Sequence, residues 1–176
     1  DGRPERDGDL RKAFSTPLLI EAGGVTQLIS SGSKASYSYD PATGRELWKV
    51  NTAAHSPAAR PLFDKGLVFV ATGSGKTEYL AVRPDGRGNV AETHVVWRTM
   101  RGAPRLVSPV LVDGLLFLLS EGGVMRCVEA ATGNEVWQER VGGEYYVSRG
   151  RRPVLCVGGA DARQRIAQER GRDAVR

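Results

Sequence analysis

Two stretches of eleven residues repeat one pattern, and this pattern decides the fold. Residues 38–48 read Ser-Tyr-Asp-Pro-Ala-Thr-Gly-Arg-Glu-Leu-Trp, and residues 127–137 read Cys-Val-Glu-Ala-Ala-Thr-Gly-Asn-Glu-Val-Trp. Each stretch places an acidic residue eight positions before a tryptophan, with Ala-Thr-Gly between them. The copies lie 89 residues apart. This distance predicts repeat units of about 45 residues, with one further copy between the two.

The surrounding sequence predicts three sets of four short strands. Runs of β-branched, aromatic and leucine residues alternate with turns of Gly, Pro, Asp or Ser from residue 14 onward. Each set begins with a proline and carries a tryptophan in its fourth strand: Pro17, Pro61, Pro109, Trp48, Trp97 and Trp137. The predicted strands are 18–21, 27–30, 36–39, 46–50, 61–63, 67–71, 79–82, 95–98, 110–112, 115–120, 125–128 and 135–140. No long segment has a helical apolar period, so few helices are expected before residue 148.

The second strands of the later sets predict how the sheets pack. Residues 67–70 and 115–119 are apolar at every position, and a strand that is apolar on both faces has protein on both sides. Stacked four-stranded sheets meet this condition. We therefore predict an all-β chain that forms a partial β-propeller of about three antiparallel blades. An immunoglobulin-like sandwich is the alternative, but it does not explain a repeat that carries a tryptophan.

The expected organisation has five parts. They are an irregular N-terminal segment (1–13), three blades (about 14–58, 59–106 and 107–148) and an arginine-rich tail (149–176). The middle repeat departs from the pattern, because Ala81 stands where Ser38 and Cys127 align and lies 16 rather than 10 residues before its tryptophan. The six extra residues fall around 84–89 and are hydrophilic. Loops accept such insertions more readily than strands do, so the insertion is expected to lie in a turn-rich loop.

The repeats resemble the pyrroloquinoline-quinone (PQQ) type of propeller, and within it the BamB-like bacterial proteins. The resemblance covers residues 14–148 and rests on the family's tryptophan docking motif. The matching residues are Asp40, Thr43, Gly44, Arg45 and Trp48, then Glu129, Thr132, Gly133 and Trp137. The resemblance implies that each tryptophan, Trp97 included, stacks between blades against the Thr-Gly turn of a neighbour. These residues are therefore expected to be structural, and the ring of Trp137 is expected to be half exposed.

The same resemblance leads to expectations about completeness and location. Propellers have four to eight blades, so three blades suggest a piece of a longer protein. The missing blades of the same chain are then expected to pack against these three. The chain starts at Asp1 with no charged and apolar leader. By resemblance, the expected location is the periplasm or the outer membrane. Nothing in the sequence approaches the apolar length of a membrane helix.

The charge of +5 is confined to the tail. Residues 149–176 hold eight arginines against three acidic residues, so the rest of the chain is neutral overall. A neutral body is not expected to attract nucleic acid. The tail breaks the strand pattern after Ser148, and its composition is typical of an out-of-frame reading of a GC-rich gene. The alternative is a genuine basic tail that contacts nucleic acid or anionic lipid.

We find no pattern of residues that indicates catalysis. Residues 73–77 read Gly-Ser-Gly-Lys-Thr, but Val70 stands where a phosphate loop requires glycine, and a strand is predicted to follow. His55 and His94 lack further ligands at metal-binding spacing, and Cys127 is expected to be a buried, inert thiol. The basic stretch 98–105 is either a solvated connection or a surface for an acidic partner or carbohydrate.

The sequence therefore favours a non-catalytic propeller scaffold that binds protein or peptide in the bacterial cell envelope, with no cofactor. The alternative is a fragment of a PQQ-dependent dehydrogenase. Under that alternative only, PQQ and calcium are the expected cofactors. By family resemblance, such enzymes need carboxylate ligands for calcium and usually an adjacent pair of cysteines, and neither is evident in this sequence.

Overall fold

A computed structural model describes residues 12–141 of the chain, and it is built from strands. The arginine-rich tail and nearly all of the predicted N-terminal segment lie outside the described residues. Fifteen strands occur in this order: β1 (Leu18–Ala22), β2 (Val25–Ser31), β3 (Ala35–Tyr39), β4 (Glu46–Asn51), β5 (Ala54–His55), β6 (Leu62–Asp64), β7 (Leu67–Ala71), β8 (Ser74–Gly75), β9 (Tyr79–Val82), β10 (Gly88–Asn89), β11 (Val95–Thr99), β12 (Val110–Val112), β13 (Leu115–Leu119), β14 (Val124–Glu129) and β15 (Glu135–Arg140). All twelve predicted strands are present, within two residues of the predicted bounds.

Three antiparallel meanders form the three sheets, which we call blades 1, 2 and 3. Blade 1 contains β1 to β4, blade 2 contains β6, β7, β9 and β11, and blade 3 contains β12 to β15. Within each blade the four strands pair in the order in which they occur along the chain, and the shortest connections are two-residue turns such as Lys65-Gly66. The all-β prediction of a partial propeller with three four-stranded blades is confirmed.

Side chains of alternate residues fill two interfaces between the blades. Val68 and Val70 of blade 2 pack with Ile29, Trp48 and Val50 of blade 1. The next residues on the same strand, Phe69 and Ala71, point the other way and pack with Leu116, Leu118 and Val128 of blade 3. Since side chains alternate between the two faces of a strand, one apolar strand serves both interfaces. Blade 2 is therefore covered on both sides, as its sequence predicts.

Three short strands were not predicted. Strand β5 pairs with β8, so the connection after blade 1 is joined to a turn of blade 2. Strand β10 lies in the insertion of the second repeat and pairs in parallel with β4, where Gly88 lies opposite Trp48. The insertion at 84–89 thus lies between β9 and β11, and two of its residues also pair with blade 1. Backbone groups of the insertion extend blade 1 to five strands.

The meander topology gives the stack of blades two different ends. The connection end carries residues 12–17, the chain segments between blades, and the turns that join the second and third strand of each blade. The hairpin end carries the other turns, including both Thr-Gly turns and the insertion of blade 2. No helix occurs among residues 12–141, and none that could cross a membrane was found there.

Candidate functional site

The first Thr-Gly turn is closed by its own backbone and side chains. Asp40 N–H donates to Arg45 O at 2.9 Å, and Gly44 N–H donates to Asp40 O at 2.8 Å. Asp40 Oδ1 accepts the N–H of Ala42 at 2.9 Å, and Thr43 Oγ1 accepts the N–H of Arg45 at 3.3 Å. Hydrogen bonds from the Thr43 side chain and the Ala42 backbone lower the pKa of Asp40 below its usual value. The acidic residue therefore stabilises the turn locally.

The second Thr-Gly turn has the same geometry. Gly133 N–H donates to Glu129 O at 2.8 Å, and Glu129 N–H donates to Asn134 O at 2.9 Å. Thr132 Oγ1 donates to Glu129 Oε2 at 2.9 Å and accepts the N–H of Asn134 at 3.2 Å. Asn134 is joined to this turn through its backbone, which explains why it can replace Arg45 of the first copy.

The ring of Trp97 in blade 2 lies on the Thr-Gly turn of blade 3. Its Nε1–H donates to Ala130 O at 2.9 Å. A Cβ atom added to Gly133, whose φ is +74°, would lie 2.7 Å from Cδ2 of this ring. Phe69 and Tyr79 of blade 2 hold the ring at centroid distances of 6.0 and 6.1 Å. Glycine is thus needed at position 133 both for the turn and for the approach of the ring.

Trp48 in blade 1 is satisfied differently, because the second repeat has no Thr-Gly turn. Its side chain is fully buried, and Nε1–H donates to Gln27 Oε1 at 2.8 Å. The same oxygen accepts Ser38 Oγ–H at 2.7 Å. The Nε2 of Gln27 then donates to Pro84 O in the insertion of blade 2 at 3.0 Å. The Gln27 amide therefore links the Trp48 ring to the next blade.

Trp137 in blade 3 is partly buried and packs against Phe117 at a centroid distance of 6.1 Å. Its Nε1–H is buried but has no hydrogen-bond partner. No further blade follows it among the described residues. The ring is therefore more buried than the half-exposed ring that its sequence position predicts.

The two histidines make only short-range polar contacts among the described residues. His55 Nδ1 lies 3.1 Å from Ser56 Oγ. His94 Nδ1 lies 2.7 Å from Thr93 Oγ1, and its Nε2 lies 3.6 Å from Asp85 Oδ1, a carboxylate that is 72% exposed. No group of three or more His, Cys, Asp or Glu side chains suited to a metal ion was found in residues 12–141.

The segment 73–77 is part of the turn between β7 and β9. Thr77 Oγ1 donates to Gly73 O at 2.8 Å, and a strand rather than a helix follows. A Cβ atom at Gly73 would lie 2.3 Å from His55 O. This glycine therefore allows the backbones of β5 and β8 to approach each other. A phosphate loop needs a helix N-terminus behind its glycines, and this segment has none.

The basic stretch 98–105 is held against blade 3 by carboxylates. Glu121 Oε1 accepts the N–H groups of Arg105 and Leu106, both at 2.8 Å. The buried Arg126 donates from Nε to Glu135 Oε2 at 2.6 Å and also donates to Arg101 O. Hydrogen bonds with Glu121 and Arg126 of blade 3 therefore hold the connection between blades 2 and 3 against that blade.

Sequence reasoning missed one groove, which lies at the hairpin end. It has a volume of about 500 Å³ and is lined by Asp64, Lys65, Leu111, Asp113 and Gly114. Neighbouring turns of blades 2 and 3 form it, and a Cβ atom on Gly114 would lie 3.5 Å from Lys65 Nζ. The two-residue turns were visible in the sequence, but their distance across the interface was not.

Several solved structures are similar to this chain. The BamB of Moraxella catarrhalis is 22% identical and aligns over 69% of this chain and 35% of its own, with a TM-score of 0.49. Two quinohemoprotein alcohol dehydrogenases share the fold. The protein from Pseudomonas putida is 22% identical over 76% of this chain and 21% of its own (TM-score 0.53). The protein from Comamonas testosteroni is 16% identical over 73% and 21% (TM-score 0.55).

The chain thus spans about a third or less of the length of these structures. A search among curated proteins found no match. The family model described as outer membrane protein assembly factor BamB matches residues 31–172, which is well over half of the chain. The chain therefore belongs to this family of PQQ-like propellers.

Proposed function

We propose that this chain is part of a non-catalytic propeller scaffold that binds protein in the bacterial envelope and assists outer membrane protein assembly. The observation that carries the proposal is the match to the family described as outer membrane protein assembly factor BamB over residues 31–172. A periplasmic or outer-membrane-associated location is part of the same proposal.

The contacts of the repeat motif support a structural rather than a chemical role for its residues. The ring of Trp97 donates a hydrogen bond to Ala130 O and lies against Gly133. Trp48 donates a hydrogen bond to the side chain of Gln27. We therefore propose that the motif residues act as tryptophan docking elements between blades. These residues are Asp40, Thr43, Gly44, Trp48, Trp97, Glu129, Thr132, Gly133 and Trp137.

A gene disruption tests the proposed function. Loss of the gene is expected to lower the amount of folded outer membrane protein, measured in isolated envelopes by heat-modifiable gel mobility. Re-expression of the intact gene should restore it. Unchanged outer membrane protein levels in the disrupted strain would contradict the proposal.

The competing function is that of a quinone-dependent oxidoreductase, because quinohemoprotein alcohol dehydrogenases share the fold. Protein expressed from the complete gene and reconstituted with PQQ and calcium separates the two functions in a dye-linked alcohol assay. The scaffold proposal expects no turnover above that of PQQ and calcium without protein. Turnover that requires the protein would favour the enzyme.

A further inference from the structure

The connection end of the stack carries an excess of positive charge. Within residues 12–141, its turns and connections contain six basic residues and two carboxylates. The basic residues are Lys12, Lys34, Arg60, Lys76, Arg101 and Arg105. The turns of the hairpin end are balanced, with four of each sign. The neutral total charge of the body therefore conceals one basic end.

Both carboxylates of the connection end are directed inward. Glu78 is only 6% exposed, and Lys76 Nζ and Arg98 approach its carboxylate no closer than 3.9 Å. The Glu121 side chain is 11% exposed and accepts two backbone N–H groups. Lys76 and Arg105 lie within 4 Å of these two carboxylates, and Arg101 lies 3.6 Å from Glu135 Oε2. Basic side chains still outnumber acidic ones at this end, and both carboxylates of its turns are largely covered.

Hydrogen bonds among the turns and connecting segments hold these basic loops in place. Lys34 N–H donates to Ala54 O at 2.9 Å, and β5 pairs with β8 immediately before Lys76. Arg60 N–H donates to Ser108 Oγ at 3.0 Å. The backbone positions of these cations are thus fixed before a partner arrives, which lowers the entropy lost on binding.

Two exposed apolar side chains lie at the same end. Phe14 is 64% exposed, although its N–H is tied to Pro57 O at 2.8 Å, and Met100 is 59% exposed. Aromatic residues, methionine and arginine are the residue types enriched at protein interfaces. The connection end therefore combines fixed cations with two apolar groups that a partner's side chains can cover.

We propose that the connection end is a docking surface for an acidic protein segment that also carries apolar residues. The proposal rests on the protein-binding function proposed above and specifies its surface and partner. Charge complementarity favours an acidic partner, and the two apolar groups favour a peptide over a polyanion. Single-stranded nucleic acid is bound on rows of aromatic side chains, and Phe14 is the only large exposed aromatic residue in the part of the chain that the structure describes.

A binding assay with defined probes tests the proposal. The probe is a fluorescein-labelled peptide of about 12 residues that alternates Asp or Glu with Leu or Phe, long enough to cross neighbouring loops. The unmodified full chain should bind it, and affinity should fall when salt rises, because the cations are exposed. A matched peptide with Lys in place of Asp and Glu should bind at least about 10-fold more weakly.

Charge-reversal variants locate the surface. Arg60→Glu combined with Lys76→Glu should weaken binding of the acidic peptide about 10-fold or more. The matched control, Arg45→Glu combined with Arg87→Glu, makes the same charge change at the hairpin end and should leave affinity within about 2-fold. Phe14→Ala should also weaken binding. Thermal melting of each variant confirms that it is folded.

Several results would overturn the proposal. They are equal losses in both double variants, equal binding of the basic peptide, or no binding of the acidic peptide by the unmodified chain. If phosphatidylglycerol vesicles or an oligothymidylate bind more tightly than the acidic peptide, the partner is lipid or nucleic acid and the proposed peptide partner is wrong. If the surface variant does not fold, the salt dependence and the Phe14→Ala result decide. If the peptide assay fails but disruption of the gene still lowers the amount of folded outer membrane protein, only the proposed surface is refuted and the proposed function stands.

Discussion

Each interface between blades contains a tryptophan whose indole N–H donates a hydrogen bond, but the acceptor differs between the two interfaces. Between blades 2 and 3, Trp97 donates directly to the backbone at Ala130 and lies on Gly133. Between blades 1 and 2, Trp48 donates to the Gln27 side chain, which in turn donates to Pro84 O. The difference follows from the length of the partner turn, because four residues separate Glu129 from Asn134 and ten separate the equivalent Arg83 and His94.

The comparison shows what the insertion in blade 2 does. Without a Thr-Gly turn, its residues cover Trp48 with strand β10 and with the buried Val90. Val90 N–H donates to Lys49 O at 2.8 Å, and Asn89 Oδ1 accepts the N–H of Asn51 at 3.3 Å. A longer loop thus replaces ring contact by edge pairing, and a buried glutamine supplies the missing acceptor.

The largest expected effect comes from removing the fully buried ring. Trp48→Ala should lower the free energy of unfolding by about 3–5 kcal/mol, because it removes a large apolar group and leaves a cavity. Trp97 is half-buried, so Trp97→Ala should cost less. Urea denaturation of both variants measures the difference. A loss below about 1 kcal/mol for Trp48→Ala would contradict packing between blades.

The next effect tests the Gln27 link itself. Gln27→Leu should lower the free energy of unfolding by about 2–4 kcal/mol, since it leaves buried polar groups of Trp48, Ser38 and Pro84 without their partner. Ser38→Ala is the control, because it removes one donor and leaves the Trp48 bond intact. If both variants lose the same stability in urea, the link does not hold the interface.

A matched pair of glycines separates turn strain from ring contact. Gly44 and Gly133 have φ of +71° and +74°, but a Cβ atom on Gly44 would meet nothing within 4 Å. Gly44→Ala should therefore cost about 1 kcal/mol, from backbone strain alone. Gly133→Ala should cost about 1–3 kcal/mol more, because Cβ overlaps the Trp97 ring. Equal melting temperatures for the two variants would show that the ring can move away freely.

The smallest expected effect concerns a polar group in the second interface. The hydroxyl of Tyr79 is fully buried without a hydrogen-bond partner, and burial raises the pKa of this side chain. Tyr79→Phe should leave stability unchanged or raise it by up to about 1 kcal/mol, because the unpaired hydroxyl is removed. A clear loss in urea denaturation would indicate that the hydroxyl is bonded in solution.

The repeated motif made the blades predictable, and the short pairings between blades were not. Strands such as β7 carry a local apolar signal, and Trp48, Trp97 and Trp137 mark the period. Strands β5, β8 and β10 have two residues each and no such signal. They form because loops distant in sequence meet once the blades have stacked.

The candidate docking surface, like the short strands, could not be predicted from local sequence. The hydropathy and turn residues of this sequence determined an all-β fold, its three repeats and their tryptophans, because these depend on local period and backbone preference. Tertiary structure alone decided that Gln27 serves Trp48, that Gly133 rather than Gly44 carries a ring, and that basic residues from separate loops share one end. Those outcomes depend on which side chains and loops become neighbours when the sheets pack. The distance between two residues in space cannot be read from their spacing along the chain.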